Sequence, residues 1–286
     1  MYSGDEQINY IVATVGSSLS LLVSGFVMYM YFTKTNLKTF ACKLTRYLCT
    51  TDFLLSLCNI QLAFMIPSFE SGWVCDVQAV FVTYFLLSSI LWTAAISHAL
   101  YTVAVTLNPD FFLMERRYVV LTYGFPVIAL FLPLVRNEYG PAEGWCWISS
   151  EGMSATVMRF LCFYVPLIIV IVFNIYEYRK VIRELEGEDP ESVSKRLKFY
   201  PCILIFTQLA LTLHRLIHLF FGITWMPLAI AGVLTTTLMG FSNAVLYGFN
   251  DALIEHVHHC FSNRDLLDNS QDSLDRSSLV QNSLNR

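Results

Sequence analysis

The chain has 286 residues, of which 55% are hydrophobic and only 14% charged, and its mean hydropathy is +0.54. This composition excludes an ordinary water-soluble domain and predicts a protein that lies mostly within a lipid bilayer. The net charge of −4 says little about partners, because in a membrane protein the distribution of charge across the bilayer carries that information.

Seven apolar stretches follow one another along the chain, and a helix needs about 20 apolar residues to cross a bilayer. The predicted spans are Ile8–Phe32, Tyr47–Ile66, Val77–Leu107, Tyr118–Val135, Ala155–Tyr176, Phe199–Phe221 and Trp225–Tyr247. No loop is long enough to fold alone, so we expect an all-α membrane protein with one seven-transmembrane helix bundle in residues 1–250. The first residues lack a basic start and a small-residue cleavage site, so we expect no signal peptide.

The basic residues between the spans are sorted to one side. With the N-terminus outside, the outer loops hold only Arg136, whereas the short cytoplasmic loops hold twelve basic residues. These are Lys34, Lys38, Lys43, Arg46, Arg116, Arg117, Arg179, Lys180, Arg183, Lys195, Arg196 and Lys198. This positive-inside asymmetry, with an odd number of spans, predicts a cytoplasmic C-terminus. We expect a multi-pass protein of the plasma membrane.

The residues after the last span are of two kinds. Residues 251–261 are amphipathic and predict a short eighth helix on the inner leaflet. Residues 262–286 are polar, which predicts a disordered cytoplasmic tail. Ser270, Ser273, Ser277 and Ser278 are candidate phosphorylation sites for kinase and arrestin-like regulators, although inert tails often have the same composition.

Two of the eight cysteines lie on the predicted outer side. Cys75 stands at the start of the third span, and Cys146 lies in the loop before the fifth. An oxidising compartment favours a Cys75–Cys146 disulfide over two free thiols. Trp145 and Trp147 flank Cys146, and they are either interfacial anchors or parts of a lid that contacts a ligand.

The string Gly144-Trp145-Cys146-Trp147-Ile148 resembles the second extracellular loop of the cyclic-AMP receptor-like family (class E receptors). Further similar strings are spread over the spans: Leu91-Trp92-Thr93, Phe163-Tyr164-Val165-Pro166, Tyr200-Pro201, Ile203-Leu204-Ile205, Arg215, Leu238-Met239-Gly240, Asn243 and Tyr247-Gly248-Phe249-Asn250. The resemblance implies a receptor that couples an extracellular small-molecule ligand to heterotrimeric G proteins, and the prototype members sense extracellular cyclic AMP. It implies no nucleic-acid partner.

The chain departs from rhodopsin-like receptors at two places. The third span ends in His98-Ala99-Leu100-Tyr101 and has no Asp-Arg-Tyr string. Tyr123 stands where many receptors carry a tryptophan in the fourth span. The activation details of rhodopsin-like receptors are therefore not carried over.

Polar residues within spans usually face the bundle interior. Asp52 and Asn243 lie roughly 8 Å and roughly 6 Å from the predicted inner edge, so they can meet at one depth. A carboxylate there can hold water or a cation and can change protonation between states, which suits a switch; the alternative is a static hydrogen-bonded cluster. The family placement favours the switch, with Tyr247 as its inner latch and Trp92 as a further member.

Two arginines enter the outer half of the bundle. Arg159 in the fifth span and Arg215 in the sixth lie roughly 6–9 Å deep, and His218 follows Arg215 by three residues on nearly the same helix face. Guanidinium groups suit a phosphate or carboxylate ligand. Internal pairing with an outer carboxylate such as Asp76 or Glu151 is an equally good interpretation.

The inner ends of the spans carry the basic residues that would flank a G-protein cavity, and the same residues also orient the protein in the membrane. They are Arg116, Arg117, Lys195, Arg196 and Lys198. Prolines in the fourth, fifth and sixth spans predict kinks there. They are Pro126, Pro133, Pro166 and Pro201.

Three other classes of protein are less well supported. No catalytic set or nucleotide loop supports an enzyme, and His214 with His218 lacks a third metal ligand, so we expect no cofactor or metal. A retinal protein needs a lysine in the last span, and Trp225–Tyr247 has none. A small polytopic transporter or channel is the main alternative, but no internal repeat is visible.

Overall fold

The structure is a computed structural model that describes residues 4–33, 40–65, 73–105, 110–142, 145–149, 152–185 and 191–248. Its α-helices are α1 (Gly4–Thr33), α2 (Phe40–Met65), α3 (Trp73–Val105), α4 (Phe111–Val135), α5 (Met153–Arg159), α6 (Val165–Leu185), α7 (Glu191–Phe221), α8 (Met226–Thr237) and α9 (Met239–Asn243). Two π-helical turns, Phe160–Tyr164 and Ala244–Gly248, follow α5 and α9. Strands β1 (Tyr139–Pro141) and β2 (Cys146–Ile148) form an antiparallel hairpin.

These elements follow the order of the seven predicted spans. Helices α1 to α4 are the first four spans, α5 with its π turn and α6 is the fifth, α7 is the sixth, and α8 with α9 and its π turn is the seventh. Within the described ranges, five spans are long and apolar enough to cross a bilayer, and the bent seventh makes six. The remaining helix, α2, carries Lys43, Arg46 and Asp52, which lower its hydropathy.

Several helices extend beyond the predicted spans, most of all between the fifth and sixth spans. Helix α6 continues to Leu185 and α7 begins at Glu191, so only residues 186–190 separate them. Helix α4 likewise begins at Phe111, where the Asp110 side chain accepts a hydrogen bond from the Leu113 N–H at 3.0 Å. Hydropathy marks the part of a helix that lies in lipid, whereas Glu, Arg and Lys favour continuation of the helix into water.

The fifth span shows a local effect of proline. Pro166 has no N–H, and its ring excludes the carbonyl of Cys162, four residues earlier. The π turn Phe160–Tyr164 immediately precedes this position. Widening the helix by one residue per turn accommodates the proline without ending the span.

The seventh span bends by 46° between Met226–Thr237 and Met239–Gly248, although no proline stands at the bend. In a regular helix the Phe241 N–H would donate to the Thr237 carbonyl. Here the Ser20 hydroxyl of α1 lies between them: it donates to the Thr237 carbonyl at 2.6 Å and accepts from the Phe241 N–H at 3.0 Å. A side chain inserted into the backbone ladder in this way bends a helix.

This insertion requires close contact between the first and seventh spans. A Cβ atom at Gly240 would lie 3.2 Å from Ser20 Cβ and 3.1 Å from Asp52 Cβ. Glycine at this position therefore allows α1, α2 and α9 to meet at one point.

Two apolar clusters fill the bundle. The larger lies against the hairpin and includes the Cys75 and Cys146 side chains, Trp147 and Phe163. The second includes Leu44, Leu48, Trp92, Ala95, Ala99, Tyr118 and Tyr247. Between and beside these clusters lie the polar side chains that form the candidate sites.

Candidate functional site

The β-hairpin is held to the third span by a disulfide. Cys75 at the start of α3 is bonded to Cys146 in β2, with the two Cα atoms 5.3 Å apart and 71 residues between them in sequence. The predicted disulfide is confirmed. Tyr139 in β1 donates to the Leu130 carbonyl at 3.4 Å, and burial raises the pKa of its phenol well above the ordinary range.

The two tryptophans beside Cys146 lie under the hairpin. Trp147 is fully buried, and its ring packs edge-on against Phe163 at 5.3 Å and Tyr164 at 6.2 Å between ring centroids. Trp145 packs on Trp147 at 5.7 Å. Trp147 thus joins the hairpin to the fifth span, and neither indole lines the cavity described next. Their contact with a ligand stays a prediction.

A cavity of ≈ 220 Å³ lies between the outer ends of the fifth and sixth spans, where the structure brings Arg159, Arg215 and His218 together. Both arginines are buried, with only 5% of their surface exposed. Each stands six residues from the outer end of its helix, which places it roughly 9 Å below that end. The lining is Gly152, Met153, Thr156, Arg159, Phe160, Tyr164, Arg215, His218 and Leu219.

The contacts of Arg159 connect this cavity to the hairpin. Its Nη2 donates to the carbonyl oxygen of Ser149, directly after β2. Glu151, considered above as an internal partner, lies outside the described residues. A ligand-binding role and an internal-pairing role for the two guanidinium groups therefore both stay open on geometry alone.

A second polar site lies in the middle of the bundle, where α2, α3 and α9 meet. Asp52 accepts hydrogen bonds from the Ser89 hydroxyl at 2.5 Å and from Asn243 Nδ2 at 2.9 Å. Asn243 Nδ2 also lies 3.4 Å from the Ser89 oxygen. All three side chains are buried, so we call them the inner network. The predicted meeting of Asp52 and Asn243 is present in the structure.

Ser89 was not among the predicted members of this network. Hydroxyl side chains within apolar helices commonly bond the carbonyl four residues earlier, as Thr83 does with Ala79 at 2.7 Å. Sequence gives no way to tell such a hydroxyl from one that faces another helix. The position of Ser89 three residues before Trp92, on the same face, is the one available signal.

Trp92 and Tyr247 lie beside the inner network. Trp92 stacks on Tyr47 at 5.0 Å and meets Tyr123 edge-on at 5.6 Å. Tyr247 follows Asn243 by one turn and shares an apolar cluster with Trp92. The Tyr123 hydroxyl lies 3.0 Å from that of Thr51, so this tyrosine links α4 to α2.

The end of the third span that lacks Asp-Arg-Tyr is held by other contacts. His98 Nδ1 and the Tyr118 hydroxyl are 2.7 Å apart, which joins α3 to α4. Lys180 of α6 lies over the Tyr101 ring at 4.6 Å and over Tyr176 at 4.2 Å. Aromatic and cation–π contacts therefore hold the inner ends of the third, fourth and fifth spans together.

The predicted G-protein-facing and regulatory residues are only partly described. Arg116 and Arg117 are exposed at the start of α4. The side chains of Lys195, Arg196 and Lys198 fall outside what the structure describes, as do the eighth helix and tail (residues 249–286) with Ser270, Ser273, Ser277 and Ser278.

The sequence matches known proteins over nearly its whole length. The family model described as "Slime mold cyclic AMP receptor" matches residues 1–256. The chain belongs to the slime mold cyclic AMP receptor family. It is 29% identical over 277 residues to "G-protein coupled receptor 1" of Arabidopsis thaliana, covering 90% of this chain and 82% of that protein. It is 26% identical over 265 residues to "Cyclic AMP receptor-like protein A" of Dictyostelium discoideum, covering 90% and 69%.

The fold also has a solved counterpart. The crystal structure of squid rhodopsin superimposes with a TM-score of 0.69 at 16% identity, covering 86% of this chain and 78% of that one. The predicted seven-transmembrane fold is thereby confirmed, as is the family resemblance. The chain is a multi-pass membrane receptor of the cyclic AMP receptor-like type. Because its seventh span has no lysine, the likeness to rhodopsin does not extend to retinal linkage.

Proposed function

We propose that this receptor binds a small anionic ligand on its outer side and transmits the signal to heterotrimeric G proteins. The proposal rests on one observation: two buried arginines, Arg159 and Arg215, line the same cavity between the fifth and sixth spans. In this proposal residues 1–250 are the receptor domain, with the N-terminus outside. Residues 251–261 form a juxtamembrane helix, and residues 262–286 form the cytoplasmic tail.

The chemistry of the cavity favours a phosphate or carboxylate. A guanidinium group offers two parallel N–H donors that match the oxygens of either group, and burial strengthens such charge-assisted bonds. His218 adds a further ring N–H at the same cavity. One relative is named a cyclic AMP receptor-like protein, and a cyclic nucleotide carries one phosphate charge of the kind that this cavity suits.

The inner network is the proposed switch. It joins three helices through one buried carboxylate, so a shift of any of these helices changes the partners of Asp52. The sixth span, which carries Arg215, is hydrogen-bonded to the seventh span, which carries Asn243: the Thr236 hydroxyl donates to the Thr207 carbonyl at 3.2 Å. The receptor would then have two conformations that differ in the hydrogen-bond partners of Asp52. A ligand that binds one conformation more tightly would raise the population of that conformation.

The exposed Arg116 and Arg117, together with Lys195, Arg196 and Lys198, are proposed to face the G protein. The tail serines are proposed substrates of kinases that recruit arrestin-like regulators. Both proposals depend on the charge asymmetry, which predicts a cytoplasmic position for these residues.

The test is a G-protein dissociation assay in cells, run across cyclic nucleotides and other small anions, with surface expression measured on the same cells. For an active anion, we expect Arg215→Lys to weaken the response because it loses the bidentate fork. Arg215→Ala should weaken it further, by about 2–5 kcal/mol of binding free energy. Arg136→Ala, which removes an exposed arginine outside the cavity, is the matched control.

Internal pairing of the arginines predicts a different result, namely poor folding and low surface expression without a selective loss of affinity. Normal expression with an unshifted response in Arg215→Ala would remove this residue from the ligand site.

A further inference from the structure

The outer cavity is small for a complete ligand. Its volume is ≈ 220 Å³, whereas pockets that enclose drug-sized ligands measure about 300–1,000 Å³. It therefore has room for a charged head group, and the rest of a larger ligand would extend beyond its rim.

The two arginines lie just below the level of the outer-leaflet head groups, within reach of them. Both lie roughly 9 Å below the outer helix ends. The polar region of each leaflet is about 5–7 Å thick, as the difference between the full bilayer and its hydrocarbon core implies. With the helix ends at the membrane surface, the Cα atoms of both arginines lie roughly 2–4 Å below this polar region, and an arginine side chain is long enough to reach a phosphate within it.

The rim of the cavity is apolar and continues onto the outer surface of both helices. Met153 is 72% exposed, and Val157 and Leu161 follow it at intervals of four residues as exposed side chains of the fifth span. On the sixth span, Leu219 at the rim is followed by the exposed Phe220, and Leu213 lies seven residues before Phe220 on the same face and is also exposed. Exposed apolar strips on membrane-spanning helices face lipid, and Met153 both lines the cavity and begins such a strip.

We propose that the cavity takes the head group of an anionic lipid from the outer leaflet. Its phosphate would lie on Arg159, Arg215 and His218, while its chain would leave over Met153 and Leu219 and lie along the exposed strips. This rests on the proposed anion site and names the class of ligand that the site takes. Charge complementarity at the base and apolar contact at the rim together select an amphiphile over a soluble anion or a neutral lipid.

The experiment compares three probes that separate the head group from the chain. The full chain, reconstituted in nanodiscs of phosphatidylcholine, is titrated with oleoyl lysophosphatidate, with glycerol 3-phosphate and with monoolein. Binding is followed by the shift in thermal unfolding. We expect lysophosphatidate to bind at least about tenfold more tightly than glycerol 3-phosphate, because its chain holds it in the bilayer beside the cavity and packs on the apolar rim at Met153 and Leu219.

Two variants test the two halves of the site. Arg215→Ala should weaken lysophosphatidate roughly thirtyfold or more and leave monoolein unchanged, with Arg215→Lys as the variant that keeps the charge should the alanine protein fold poorly. Leu219→Asn should weaken lysophosphatidate but not glycerol 3-phosphate. Arg136→Ala should change none of the three.

The outcomes that overturn the inference also distinguish it from the proposed function. Equal affinity for lysophosphatidate and glycerol 3-phosphate would mean that a free anion occupies the cavity, so the lipid would be wrong and the anion site right. Binding of lysophosphatidate that Arg215→Ala and Arg215→Lys both leave unchanged would remove the anion site, and with it both proposals.

Discussion

One carboxylate, Asp52, joins three helices in the middle of the bundle. Its two oxygens accept from Ser89 on α3 and Asn243 on α9, while its own backbone belongs to α2. Hydrogen bonds to a charged group contribute about 1.5–3 kcal/mol each, and burying the charge costs a comparable amount. The hydrogen bonds stabilise the buried charge, whereas its desolvation destabilises it. A modest change in helix position can therefore alter the net free energy of this site, which suits a conformational switch.

Asp52→Asn tests this role. Asparagine keeps the volume and can still pair with Ser89, but it removes the charge. We expect normal surface expression and a loss or bias of ligand-dependent G-protein activation, measured as dose response in cells. Asp110→Asn makes the same chemical change at the exposed cap of α4, where asparagine caps equally well, and should leave signalling unchanged. Full activation with unchanged potency in Asp52→Asn would mean that the network is structural.

At the scale of elements, the bend of the seventh span depends on a residue of another helix. Ser20 is 217 residues from Thr237 in sequence, yet its hydroxyl bridges the two backbone groups at the bend. The bend lies five residues before Asn243, so it helps to direct this side chain toward Asp52. The first span thus helps to set the geometry of the inner network.

Ser20→Ala should destabilise the protein by roughly 1–3 kcal/mol, because the Thr237 carbonyl and the Phe241 N–H lose their shared buried partner. Ser18→Ala is the matched control. Among the described residues, the Ser18 hydroxyl bonds the Thr14 carbonyl of its own helix at 2.8 Å and no other helix, so we expect a change within about 0.5 kcal/mol. The free energy of unfolding of both variants is measured in detergent. Equal stability of the two variants would mean that the inserted Ser20 hydroxyl does not stabilise the bend.

The sequence predicted some of these elements and not others, for physical reasons. The spans follow from hydropathy, which is local, and the Cys75–Cys146 pairing follows from the side of the membrane. The bend near Leu238 and the role of Ser89 depend on contacts between helices far apart in sequence, which no local pattern encodes. The prolines predicted kinks, but the bend without a proline arises from Ser20.

For the whole molecule, the distribution of charge predicts the orientation of the receptor in the membrane. The twelve basic residues on one side and Arg136 on the other predict an outer N-terminus and a cytoplasmic C-terminus. An epitope tag at the N-terminus should bind antibody on intact cells, and one at the C-terminus only after permeabilisation. The reverse pattern would place the arginine cavity in the cytoplasm and contradict the proposed direction of signalling.

Signal transfer across the membrane can be measured as nucleotide exchange on a G protein. Purified receptor in nanodiscs is mixed with a panel of heterotrimeric G proteins and a fluorescent GTP analogue, with and without an anion shown to bind the outer cavity. We predict that the bound anion accelerates exchange on at least one heterotrimer and that Asp52→Asn abolishes the acceleration. Exchange equal to that of empty nanodiscs on every heterotrimer, with the anion bound, would contradict signalling through G proteins.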